Sequence, residues 1–145
     1  MKKIVRDLLG ALALLGLLAA CQQPPTAPVF EQSWVRAMPP SAHMTAAYGV
    51  LRNGTNAPLT LVAFSSPAFG DVSLHRTVQV DGMARMREVE SLTLQPGEAA
   101  ELEPGGLHLM LMMPAGPLPA EGSVPLVMTA ADGRSFRFEV PVEQR

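Results

Sequence analysis

No window of a dozen residues in this chain carries a clean helical stripe. From Val29 onward, short apolar runs are broken at close intervals by Gly, Pro, Asn and Asp. A strand needs only about four to eight residues of period-two alternation, so the pattern predicts an all-β sandwich or barrel. The strands expected are Ser33–Ala37, Ala46–Arg52, Leu59–Ser65, Asp71–Val80, Met83–Glu90, Ala99–Leu102, His108–Met113, Val124–Ala130 and Ser135–Val142. Asn53-Gly54, Asp81-Gly82 and Asp132-Gly133 lie between strand-like runs and supply the positive φ angles that tight hairpins require. The Asp81-Gly82 turn would bring together the arms that carry His75 and Met86.

The run Leu107-His108-Leu109-Met110-Leu111-Met112-Met113 puts leucines on one strand face and His108, Met110 and Met112 on the other. One apolar face is enough for a core, so the histidine and methionine on the second face point to a soft metal. Upstream, Val72 and Leu74 share the core face and leave His75 on the polar side with Asp71 and Ser73, while Met86 shares its face with Glu88. Ten residues separate His75 from Met86, and twenty-one separate Met86 from His108. Two imidazoles and two thioethers suit copper(I), whereas zinc leans on thiolate, imidazole and carboxylate. Only the histidines take up protons, so binding should weaken below about pH 6.5. Met128, in a hydrophobic run, and Met113, by parity with Leu109 and Leu111, are expected in the core; Met38 and Met83 fit either use. The loop Ala37–Met44 holds the third histidine beside a methionine, and Met112 shares the ligand face of its strand, so His43, Met44 and Met112 stand as auxiliary metal donors.

Residues 1–20 read as a secretory signal: Lys2, Lys3 and Arg6 precede an apolar run, Leu8–Ala20, too short to span a membrane comfortably. The run ends in Leu18-Ala19-Ala20-Cys21, which resembles the bacterial lipobox and implies cleavage before Cys21 and lipidation of its sulfur. Cys21 is the only cysteine, so the secreted domain has no internal disulfide and no thiolate for metal or catalysis. Each buried acyl methylene contributes about 0.8 kcal/mol, and several chains anchor durably; which membrane receives them is left open. Residues 21–28 form the lipidated cysteine and a proline-rich tether. Residues 29–145 are enough for one domain with a real core. Beyond the signal, eight arginines face twelve acidic residues without a basic patch, which argues against nucleic acid as a partner.

Trp34-Val35-Arg36, Ala46-Ala47-Tyr48, Ser65-Ser66-Pro67-Ala68, His75, Met86-Arg87-Glu88-Val89, Pro104-Gly105-Gly106 and His108-Leu109-Met110-Leu111-Met112 follow one another as in the periplasmic copper chaperone family PCu(A)C. The resemblance spans about Val29 to Val142 and includes every interval of the family's metal motif. It implies a cupredoxin-like Greek-key β-sandwich or barrel that binds copper(I) through His75, Met86, His108 and Met110. It further implies delivery to the CuA centre of cytochrome c oxidase subunit II, often alongside a thioredoxin-like Sco protein. Arg76-Thr77 departs from the acidic residue often found after the first histidine, and the histidine- and methionine-rich tail of many members is not seen before Arg145.

A blue-copper electron carrier would need a cysteine thiolate that Cys21 cannot supply. No Gly-x-Ser-x-Gly elbow, cysteine–histidine pair or paired acid and base suggests an enzyme. Two other readings stay open: an envelope copper buffer or resistance protein using the same four residues, and a lipoprotein that binds another protein without metal.

Overall fold

The computed structural model describes residues 26–145. The signal, Cys21 and most of the tether lie outside the described residues. Ten strands make up the fold: β1 (Val29–Arg36), β2 (Met44–Arg52), β3 (Leu59–Ser66), β4 (Phe69–Val80), β5 (Met83–Glu88), β6 (Leu92–Leu94), β7 (Ala99–Leu102), β8 (Leu107–Pro114), β9 (Ser123–Ala130) and β10 (Ser135–Glu143). Their order is β5-β4-β8-β7-β2-β1-β10-β9-β3-β6, with further pairings of β8 to β2 and of β3 to β4. Strands β4, β8, β2, β1, β10, β9 and β3 therefore close on themselves, and β5 and β6 stand at the margins. β1 runs parallel to β10 through Val35 and Val142 and antiparallel to β2. Such crossing connections belong to a Greek key. The all-β expectation holds.

Alternation fills the barrel. Leu107, Leu109 and Leu111 from β8, Val124, Leu126 and Met128 from β9, Val140 from β10 and Val72 and Leu74 from β4 are buried in one cluster. Fully burying a side chain of this kind contributes about 1.5–3 kcal/mol, which fixes strand register, because a one-residue slip would turn every leucine to solvent.

Four local expectations are corrected. The first strand starts at Val29, not Ser33: the register shifts between Glu31 and Trp34, and Gln32 takes φ 48°, a bulge that breaks the alternation the sequence shows. β6 has only three residues, too few to show a period, and is held by pairing with β3, including a 2.9 Å contact between the Thr60 and Thr93 hydroxyls. Asn53-Gly54 makes no hairpin, since β2 pairs with β1, β7 and β8 and not with β3; Asn53 is instead completely buried. Met113 is 62% exposed, not core, because φ 54° turns it out of step with Leu109 and Leu111. The other two turns behave as read. Asp81 and Gly82 take φ 52° and 75° in the β4–β5 hairpin, and Gly133 takes 89° between β9 and β10.

Candidate metal centre

The site is built on the outer face of β2, β8, β4 and β5. Directly opposed residues of an antiparallel pair point the same way, so the register lays this face out in rungs. Met44, Met112 and Asp71 form one rung; Ala46, Met110 and Ser73 form the next. His108 then stands opposite His75, which stands opposite Glu88; beyond them Thr77 stands opposite Met86. His75, Met86, His108 and Met110, distant in sequence, therefore share one face on neighbouring strands.

The His75 and His108 rings stack, with 6.2 Å between centroids and 22° between planes. His75 is half-buried, with Nδ1 3.4 Å from the Ser73 hydroxyl. His108 is 3% exposed. Its Nδ1 lies 3.0 Å from the Gly106 carbonyl, to which it can only donate, so Nε2 carries the free lone pair. Gly106 is held in turn: its N–H donates to Glu103 O, and its carbonyl also accepts from Thr77 N–H. Gly105 at φ 81° makes that turn possible. A backbone carbonyl that fixes the tautomer and ring plane of an imidazole is the usual support of a metal-ligating histidine.

His108 Nε2 is the one buried side-chain nitrogen or oxygen without a hydrogen-bond partner among the described residues. An orphaned buried polar atom costs about 1–3 kcal/mol, which an incoming electrophile would recover. The groove beside it, about 480 Å³, is lined by Met86, Met110, Thr77, Tyr48, Arg36, Met38 and Met44 among others. Met110 packs against Trp34, Ala46 and Tyr48, a cluster outside the barrel core. The Trp34 and Tyr48 rings are 4.6 Å apart, and the Arg36 guanidinium lies 5.8 and 5.4 Å from their centroids. Met86 is 57% exposed on the edge strand. Among the described residues no three His, Cys, Asp or Glu side chains gather; the soft donors beside His108 are the thioethers of Met86 and Met110, a set that fits a soft monovalent ion.

The auxiliary expectation divides. Met44 lines the groove, whereas His43, in the bend before β2, lines a separate cleft with Pro39, Pro114 and Leu118. The aromatic wall and the Gly106 carbonyl are parts of the site to which sequence reasoning gave no role. The signal for the carbonyl was a Pro-Gly-Gly turn ending two residues before a histidine.

The closed β-barrel has the fold of solved PCuAC domains. The copper-bound PCuAC domain from PmoF2 has the same fold, with a TM-score of 0.66 at 19% identity over 81% of this chain and 93% of that one. The solution structure of CuI-DR1885 from Deinococcus radiodurans gives 0.67 at 32% identity, covering 87% and 84%. Residues 29–142 match the family described as "Putative lipoprotein LpqE-like", and the chain belongs to that family. A relative named "Putative lipoprotein Lxx21020", from Leifsonia xyli subsp. xyli, is 32% identical over 114 residues, 78% of this chain and 68% of its own length.

Proposed function

We propose that this protein is an envelope copper chaperone that carries copper(I) on His75, Met86, His108 and Met110 and hands it to the CuA centre of cytochrome c oxidase subunit II, with a thioredoxin-like Sco protein as a further partner. The observation that carries this reading is the buried, unpartnered Nε2 of His108 beside the thioethers of Met86 and Met110. The copper(I) state named in the structure of the 32% identical relative supports the choice of ion. Lipidation at Cys21, after removal of residues 1–20, holds the domain at the membrane on its tether; the family's description as lipoproteins supports this.

Copper is cargo here, so release matters as much as capture. All four donors are neutral when the histidines are deprotonated. Neutral thioethers can be displaced one at a time as an acceptor's ligands arrive, and acceptor thiolates, softer and charged, draw the ion onward. Met86, on an exposed strand, is the donor an acceptor reaches most readily; His108, buried and fixed by Gly106, keeps the ion oriented until exchange is complete.

The test is copper(I) competition with a chromophoric chelator on the detergent-solubilised protein, beside a Met86→Leu/Met110→Leu variant. One-to-one binding that weakens by at least about 100-fold in the variant is expected, a difference of roughly 2.8 kcal/mol. Equal binding by the variant removes the four-residue site. Transfer to an apo subunit II fragment then separates a chaperone from a buffer, which would retain its copper. No binding by either form would return the metal-free reading.

A further inference from the structure

The face that holds the four donors continues past them. Met44 opens β2 directly opposite Met112, which in turn stands opposite Asp71. Met110 is one rung further along, two residues from Met112 on the same face. Met38, from the loop after β1, lines the groove with Met44. These thioethers are not core. Met44 is 52% exposed and Met112 half-buried, at positions where hydrophobic burial gains little.

Opposed residues have Cβ atoms about 4.5–5.5 Å apart, and methionine has three rotatable side-chain bonds and a polarisable sulfur. Met44 and Met112 can therefore converge on a common ion with no movement of the backbone. Met38 supplies a third sulfur from the loop, and the Asp71 carboxylate on the same rung offsets a single positive charge.

We infer that Met44 and Met112, with Met38, form a second soft-ion site for copper(I) at the margin of the groove, where Met112 stands opposite the groove-lining Met44, next to the His108–Met110 centre and weaker than it. All its sulfur donors are thioethers, without an imidazole held in place by a carbonyl, so the ion it takes is loosely kept and is placed one rung from Met110. The site serves as an entry station for the first. Naming the ion rests on the copper reading above; the positions of the sulfurs do not.

The full chain, labelled with 13C at the methionine methyl groups and kept in detergent, is titrated with copper(I) without oxygen, and with silver(I) as a redox-stable probe. The methyl signals of Met86 and Met110 should move with the first equivalent, and those of Met44, Met112 and Met38 with a second. Met83, Met113 and Met128, away from the groove, should stay unmoved. A Met44→Leu/Met112→Leu variant should lose the second equivalent and keep the first. The substitution conserves volume, and one of its positions is largely exposed, so folding is not at stake. Saturation at one equivalent with Met44 and Met112 unmoved overturns the inference, as does a second equivalent that survives in the variant. Movement of Met44 and Met112 alone, with Met86 and Met110 silent, would instead remove the four-residue site and leave this one standing.

Discussion

Asn53 follows directly on β2, with every polar atom of its side chain occupied. Its Nδ2 donates to the carbonyls of Ala57 and Leu94, at 2.8 and 2.9 Å, and its Oδ1 accepts from the backbone N–H and the hydroxyl of Thr55. Its own backbone exchanges hydrogen bonds with Glu98 and Gly97. One buried residue thus ties the β2–β3 loop to β6 through its amide and to the turn before β7 through its backbone, and the Asn-Gly pair does not close a hairpin. Asn53→Ala should lower stability by about 3 kcal/mol, since it removes both amide hydrogen bonds and leaves the Thr55 N–H without its acceptor, although the Ala57 carbonyl keeps the Thr55 hydroxyl; urea unfolding reads this, and an unchanged midpoint would mean that water replaces the amide. His108 is the opposite case: one ring nitrogen is held and the other left bare. Both residues share a polar side chain deep in an apolar setting, and only the accounting of partners tells a staple from a ligand.

At the scale of elements, the β4–β5 hairpin decides where Met86 stands. Asp81 and Gly82 both adopt positive φ, the signature of a type I′ turn whose twist matches that of the strands. Nothing lies within 4 Å of where a Gly82 Cβ would sit, so a Gly82→Val substitution is opposed by φ 75° and not by a clash. The strain, about 1–2 kcal/mol, falls on an arm paired only to β4. The expected result is weaker copper(I) affinity with little change in the thermal midpoint of the barrel; a large midpoint shift would show that the arm is part of the cooperative core. This hairpin, the leucine face of β8 and the outward phase of His75 were legible in the sequence because turn chemistry and alternation are local. The bulge at Gln32, the turn-out at Met113 and the burial of Asn53 were not. Each depends on which strand lies alongside, and a sequence read one segment at a time does not contain that information.

The molecule as a whole joins two parts of unequal firmness. Barrel strands β8 and β9 are buried or half-buried at all but one position each, whereas every residue of β5 is exposed. Amide hydrogen exchange should therefore be fastest in β5 and slowest in β8 and β9, with the arm opening by a smaller free energy than global unfolding; uniform protection across both would contradict this division. The donors follow the same division, with His108 and Met110 on the wall and Met86 on the arm.

An exposed edge strand also has a social side. Unpaired backbone at the margin of a sheet is a template on which another copy can anneal, and β5 cannot be covered without hiding Met86. Its reverse face carries Arg85 opposite Val78 and Arg87 opposite Arg76, a crowding of like charge that costs the hairpin a few tenths of a kcal/mol or more. The same arginines repel a second copy approaching edge to edge. The strand can stay bare and still not seed a fibre.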